Sequence, residues 1–541
     1  MRNNLLLWIF VLLFAVLASI PWLVPHTGVL ALFAFLPLLL ATDIADQLKV
    51  KHFWVYSYTA FVLWNAFTTF WVCNATVGGG IFAVLANALQ MCIIWGVFRF
   101  SKKRLSGPLP YIFLAAMWIA WERFYFSADI SWPWLVLGNA FARTTRLVQW
   151  YSITGTLGGS LWIWAVNLSL FGLMAGLSDG DFFRRNAIAR ISSVVGLLVL
   201  VAAPMISSML MYKNYEPVSE GRIDVVIGQP DFDPYHKFES MSQQEQDSVL
   251  IGLYTKAMRN DTQASTLLLA PETFSGRMFL GSEEENSTIR SLGPFFESHP
   301  NAEVLFGAST YKYHDTRSAP GLLSYPYGNG WLTSYNSAVL VNAADSIQMY
   351  HKSRLVVGTE KTPYPRIFVP FDNWLCKVFK MRGPLIARCI GQDSASVLNY
   401  KGDIPLGCAV CYESVYPEYC TEYVKAGAKA MTVITNDAWW GDTPGYKQHL
   451  SYSRLRAIEL RRDIARCGNT GISCFIDQKG DILQQSPWWE ESVLQGSVNL
   501  NSQQTFFVRH GDITGRICTL VFLLLLALLL VRFILVRFAS R

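Results

Sequence analysis

Hydrophobic and polar positions alternate along this chain in two different ways. Apolar runs long enough to cross a bilayer fall at 5–21, 27–42, 53–72, 78–98, 109–122, 157–176, 191–211 and 516–536; the second and fifth are short. Between the seventh and eighth runs the pattern changes. Short β-branched, apolar segments at 223–227, 266–270, 304–308, 338–342, 406–410, 431–435 and 472–476 read as buried strands. Between them lie charged stretches, and 446–465 places Leu450, Leu455, Ile458 and Ile464 at helical spacing. The expectation is a polytopic α-helical membrane domain with seven spans in 1–215, an α/β layered domain in 222–512, and an eighth helix with a tail in 516–541. The polar block is large enough to bury its own core.

Composition agrees. The chain has 541 residues, 52% hydrophobic and 14% aromatic with 19 Trp, too apolar for an ordinary soluble enzyme and rich in rings suited to membrane interfaces. Its net charge is only +6, without a basic run of the kind that binds nucleic acid. The cations instead report topology. Arg2, Lys49, Lys51, Lys102, Lys103, Arg104, Arg184, Arg185, Arg190, Arg537 and Arg541 fall on one side of eight spans, with Arg143 and Arg146 as exceptions opposite. That side is cytoplasmic by the positive-inside rule. Residues 222–512 then face outside, which in a double-membraned bacterium means the periplasm of its inner membrane.

Three residues at apolar strand ends have complementary chemistry: Glu272 in L-A-P-E-T-F, Lys352 in Y-H-K-S-R-L, and Cys411 in G-C-A-V-C-Y-E. A Cys nucleophile needs a base, and its tetrahedral oxyanion needs positive charge. Alone, such a Glu is usually a solvated carboxylate, such a Lys a surface charge and such a Cys a small buried hydrophobe. Cys408 and Cys411 form one C-x-x-C without a second pair, so no metal and no cofactor are expected. An outside location would permit a disulfide among Cys376, Cys389, Cys420, Cys467 and Cys474. Asn436, Asp437, Trp439, Trp440 and His449 follow a strand and are suited to shaping a pocket floor. The Pro-stiffened apolar stretch 363–370, and Met278-Phe279-Leu280, read as lids or membrane-dipping arms.

These motifs carry a resemblance. P-E-T after a strand, K-S-R-L-V with Glu360 eight residues after Lys352, and C-Y-E before a Y-x-x-x-G-A segment resemble the nitrilase (carbon–nitrogen hydrolase) superfamily. Eight spans with that block before the last, S-W-P-W-L-V-L-G at 131–138, T-N-D-A-W-W-G, Q-H and R-A-I-E-L-R-R resemble the apolipoprotein N-acyltransferase family. The resemblance implies a four-layer α-β-β-α sandwich for 222–512. It implies Glu272 as general base, Lys352 as oxyanion stabiliser and Cys411 as nucleophile. Glu360 would orient Lys352, and Tyr412 and Glu413 would flank the nucleophile. Phe238, Asn436, Trp439, Trp440 and His449 would be substrate-binding residues. The partners it implies are a phospholipid acyl donor and a diacylglyceryl-modified apolipoprotein acceptor, joined through a Cys thioester. The chain departs from the family at Val357-Gly358-Thr359-Glu360, where P-F-G-E is usual, and at Lys237-Phe238, where Trp often follows the Lys. Two other readings are a membrane-anchored nitrilase-type amidohydrolase and a degenerate, non-catalytic lipoprotein-binding scaffold.

Overall fold

The computed structural model describes residues 2–178, 180–184, 186–344, 346–381 and 384–539. Arg185 and Arg541, used above to read topology, lie outside the described residues. Among the described residues, six helical stretches are long and apolar enough to cross a membrane: Asn4–Leu23, Gly28–Gln47, Val77–Lys102, Thr156–Ser178, Ala187–Asn214 and Ile513–Val536. The runs expected at 53–72 and 109–122 are the helices Phe53–Thr69 and Leu109–Tyr125, of 17 residues each. At 1.5 Å per residue each is about 25 Å long, short of a hydrocarbon core of about 30 Å. Both pack among the longer helices. The stretch Gly28–Gln47 breaks at Phe35, whose N–H donates to Asn167 Oδ1 at 2.9 Å. Asn167 Nδ2 in turn donates to Ala31 O at 3.0 Å, so the break leaves its backbone satisfied in an apolar setting. The Phe35 ring sits among Phe14, Trp64, Trp95, Trp118 and Trp164, with centroids 4.5–6.4 Å away.

The polar block forms two sheets. Its strands are β1 (Arg222–Gln229), β2 (Thr266–Leu269), β3 (Ser275–Phe279), β4 (Glu303–His314), β5 (Tyr325–Tyr327), β6 (Gly330–Asn342), β7 (Ile347–His351), β8 (Val397–Tyr400), β9 (Ile404–Val410), β10 (Ala430–Thr435), β11 (Ile464–Gly468), β12 (Cys474–Ile476), β13 (Ile482–Gln485) and β14 (Ser492–Asn499). One sheet runs β14-β1-β2-β4-β6-β5, with β3 on β4 and β7 on β6; the other runs β13-β12-β11-β10-β9-β8. Period-two alternation splits the first sheet's side chains between two cores. Val225, Ile227, Leu267, Leu269 and Leu305 point inward and share a core with Cys408, Val410, Met431 and Val433 of the second sheet. Val226, Leu268, Val304 and Phe306 turn outward onto the helices Gln243–Ala257 and Ser287–Ser298. Helices Pro417–Lys425 and Pro444–Leu460 lie against the second sheet's region. This is the four-layer α-β-β-α sandwich.

All seven expected strands are present, with seven more that are short, or polar on one face. Two local readings need correction. The helix expected over 446–465 stops at Leu460: Arg461 turns left-handed (φ +51°), and Ile464 and Ala465 belong to β11. Met278-Phe279-Leu280 is no arm. Met278 is fully buried in β3 against β4, so that run is core packing. All ten cysteines are free, including the five for which a disulfide was allowed.

Candidate active site

The site forms where strands of both sheets end. After β2, Pro271 and Glu272 are buried and Thr273 takes a left-handed φ of +48°. After β7, Lys352 is buried, its backbone N–H held by Asn336 O at 2.8 Å. The Lys352 ammonium bridges two carboxylates: Nζ lies 2.8 Å from Glu272 Oε1 and 2.9 Å from Glu360 Oε1. Asn336 Nδ2 donates to the same two oxygens at 2.8 and 2.6 Å. Val356 N–H fixes Glu360 through its other oxygen at 2.7 Å. Glu272 Oε2 accepts no hydrogen bond among the described residues. Burial pulls the Lys352 pKa down, but Glu272, Glu360 and Cys411 more than offset it, so the ammonium is held well above its ordinary range.

Cys411 follows β9 at φ +52°, a strained position for a side chain larger than glycine, at the start of a short helical turn, Cys411–Val415. A sharp strand-to-helix turn lifts a side chain out of a sheet end. Burial pushes the Cys411 thiol well above its usual value; Glu272 adds to this and Lys352 opposes it. The cysteine therefore rests as a thiol.

Glu413 ties the two halves of the site. Its Oε1 accepts from Tyr350 Oη at 2.6 Å and from the N–H groups of Ser353 (2.7 Å) and Arg354 (3.2 Å), just past Lys352. Its Oε2 accepts from Val410 N–H at 2.8 Å, just before Cys411, and from Tyr423 Oη at 2.9 Å. One buried carboxylate thus locks the Lys352 loop to the Cys411 turn. Tyr412 points to the helical half, donating to Ser131 O at 3.1 Å and stacking on Trp132 (6.1 Å, 17°). The 131–138 segment is thereby the joint between membrane helices and the Cys411 turn; its Leu137 N–H is held by Glu122 at 2.8 Å, and Trp134 Nε1 donates to Gln448 at 2.7 Å.

Beneath Cys411 lies a buried polar group. His449 Nε2 is 3.1 Å from Cys411 O and 3.0 Å from Ser414 Oγ, and Nδ1 is 2.8 Å from Asp437 Oδ1. Arg466 donates to Asp437 Oδ2 at 2.6 Å. Burial raises the Asp437 carboxyl, yet His449 and Arg466 hold it at about 2. Ligand atoms of Cys411, Asp437 and His449 lie within 4.8 Å of one another, close enough to hold a metal ion. The neighbouring Arg466 cation and the existing bonds of Asp437 and His449 oppose one. Trp440 packs on Trp71 (4.5 Å) and His449 (5.6 Å), and Trp439 on Tyr235 (5.6 Å). Asn436 is buried and accepts from Asn469 Nδ2 at 3.2 Å. The side chain of Phe238 lies outside the described residues. Its neighbour Lys237 is buried and donates to Thr273 O at 2.7 Å; burial pulls its pKa to about 7, against the attraction of Glu272.

Sequence reasoning missed Asn336, Arg466 and the placement of Lys237. Asn336 and Arg466 are polar side chains inside strands, where burial demands partners, and Lys237 lies on the short helix Pro234–Glu239, where no local pattern marks it as buried.

A buried cysteine, lysine and carboxylate at the strand ends of an α-β-β-α sandwich define a nitrilase-type domain, and residues 235–506 match the carbon–nitrogen hydrolase family. Residues 13–169 match the apolipoprotein N-acyltransferase N-terminal domain. An apolipoprotein N-acyltransferase of Chlorobaculum tepidum is 30% identical over 511 residues, 92% of this chain and 91% of the relative. One of Geobacter metallireducens is 28% identical over 523 residues, 94% and 93% of the two chains. A Saccharomyces cerevisiae member of branch 10 of the nitrilase superfamily superposes on 56% of this chain and 98% of its own, at 13% identity and a TM-score of 0.37. The chain belongs to the apolipoprotein N-acyltransferase family. It is a membrane protein and an acyltransferase.

Proposed function

We propose that this enzyme moves an acyl chain from a phospholipid, through a thioester on Cys411, to the α-amine of a diacylglyceryl-modified Cys at a lipoprotein N-terminus. The observation that carries the mechanism is the Lys352 ammonium bridging Glu272 and Glu360 beside a strained, protonated Cys411. In the first half-reaction Glu272 takes the Cys411 proton as sulfur attacks the ester carbonyl carbon. Lys352 and a backbone N–H at or after Cys411 receive the oxyanion. Collapse breaks the ester C–O bond; the lysophospholipid oxygen leaves with the proton from Glu272, and the thioester remains. In the second half the lipoprotein amine attacks the thioester. Glu272 accepts the amine proton and returns it to the departing sulfur. An amide has replaced an ester. Glu360 positions Lys352, Glu413 positions both loops, and Phe238, Asn436, Trp439, Trp440 and His449 shape the pocket.

Helix Pro365–Val378 supports a lipid donor over a small soluble amide. It exposes Ile367, Phe371, Trp374 and Val378 on one stripe, at i, i+4, i+7 and i+11. We assign this helix as an arm that dips into the membrane surface. The same proposal places residues 1–215 and 516–541 in the inner membrane with eight crossings, and 222–512 in the periplasm as the catalytic domain. Intact-mass analysis of purified protein mixed with phospholipid and no lipoprotein tests the chemistry: an added acyl mass on Cys411 is expected, and its absence at every lipid composition sinks the proposal. A reporter fused after Gly330 tests orientation, with activity expected only from one that reads an extracytoplasmic site.

A further inference from the structure

A cavity of about 360 Å3 lies where the ends of helices Leu109–Tyr125, Thr156–Ser178 and Ile513–Ala539 meet helix Pro417–Lys425. Neither Glu272, Lys352 nor Cys411 lines it; Arg354 and Tyr416 form the wall nearest the catalytic site. Phe124, Leu157 and Phe507 make its helix side apolar, and Phe124 is 66% exposed. Its acids are hydrogen-bonded. Glu418 accepts from Arg516 at 2.9 Å, Asp512 Oδ1 from Gly515 N–H at 2.8 Å, and Glu422 from Ala395 N–H at 3.2 Å. Its two lining cations are not. Arg354 lies over the rings of Tyr419 (4.8 Å) and Tyr416 (5.8 Å), and its side chain makes no hydrogen bond or ion pair among the described residues. Arg123 Nε stands 3.7 Å from Asp512, an ion pair beyond hydrogen-bond reach.

A half-buried guanidinium without an acceptor is costly unless an anion completes it. Arg354 is such a group, and Arg123 has only its long pair with Asp512; above an apolar wall, level with the ends of membrane helices, the two match an amphiphile with an anionic head. The cavity holds a head group and the start of a chain, not a whole two-chain lipid. We propose that this corner binds the phosphodiester of a phospholipid on Arg354 and Arg123, with an acyl chain running down past Phe124 and Leu157. The bound lipid is not cleaved, because the catalytic groups do not line the cavity. Arg354 N–H also donates to Glu413, the carboxylate that locks the Lys352 loop to the Cys411 turn. Occupancy would therefore stiffen the catalytic site from outside it.

The test uses full-length protein carrying Cys411→Ala, reconstituted in nanodiscs, so that its outcome does not depend on acyl transfer. The probe is a phosphatidylethanolamine with a diazirine in its acyl chain; the control is the matching diacylglycerol, which lacks phosphate. The phospholipid should label peptides containing Phe124 and Leu157. That labelling should fall about tenfold in Arg354→Gln, as expected from losing a charge-assisted contact, while labelling elsewhere on the helices persists. Leu157→Trp, which fills the cavity and keeps both arginines, should block it too; this variant decides the matter if Arg354→Gln fails to fold. Equal labelling by diacylglycerol overturns the proposal, as does labelling unchanged in Leu157→Trp. Stabilisation by inorganic phosphate through Arg354, without lipid labelling, also overturns it and makes the site one for free phosphate.

Discussion

The catalytic strand ends and the apolar arm are close in sequence and opposite in construction. Glu360 closes the first; Pro365 begins the second. In the catalytic cluster each buried charge has several partners: Lys352 has two carboxylates, Glu413 accepts five hydrogen bonds, and Asp437 meets a His, an Arg and a Thr. The arm holds its apolar stripe outward. It is fixed at its root by Asp129, which pairs with Lys361 and accepts from Tyr364 N–H, and along its length by Asp372–Arg388 at 2.7 Å. The difference follows from the tasks. Buried charge must be over-bonded to exist at all, and the same bonds pre-organise a transition state. A surface that meets lipid needs exposed apolar area, each large side chain gaining about 1.5–3 kcal/mol when fully buried.

Breaking the rigid side should cost most. Cys411→Ala and Cys411→Ser should abolish acyl transfer while leaving expression and membrane insertion intact; thioester formed by either variant, or a requirement for Cys408 instead, removes the assignment. Glu272→Gln and Lys352→Met should cut formation of the acyl-enzyme itself by about 10³-fold or more, because base and oxyanion cation both act before the ester breaks. Mass spectrometry with phospholipid and no lipoprotein reads this step. Acylated Cys411 at wild-type levels in Glu272→Gln would confine Glu272 to activating the amine.

Asp437→Asn should act on stability. It leaves Arg466 buried without its counter-charge, costing about 3–5 kcal/mol, visible as a lower unfolding temperature in detergent. The pH dependence has a definite sign. Asp437 titrates at about 2 in the fold and near 3.9 unfolded, so its contribution is complete above about pH 4 and fades as pH falls towards 2. Asp437→Asn should flatten the acid limb of the stability curve; an unchanged limb assigns the acid sensitivity to other carboxylates. Asp129→Asn should have the smallest effect, a few-fold rise in KM for phospholipid with kcat little changed, since it loosens a half-buried pair at the arm's root. A fall in kcat equal to that of Lys352→Met would mean the arm and the cluster are not separate devices.

The sequence by itself determined the larger divisions. Long apolar runs need lipid or one another, and period-two β-branched segments need a sheet, so helical half and sandwich were both legible before any coordinates. Glu272, Lys352 and Cys411 stood out because each follows an apolar segment inside a motif, and Glu360 only through the family resemblance. What only the tertiary structure decided is long-range. Asn336 bridges Glu272 and Glu360 from a strand 64 residues after the first and 24 before the second. Ser131 reaches Tyr412 across 281 positions. Met278 went into the core and Ile367 stayed out, although both lie in apolar runs. Local pattern records that a side chain is apolar or charged. Which partners it finds depends on how strand ends and helix ends converge, and for a buried charge those partners fix both its protonation and its use.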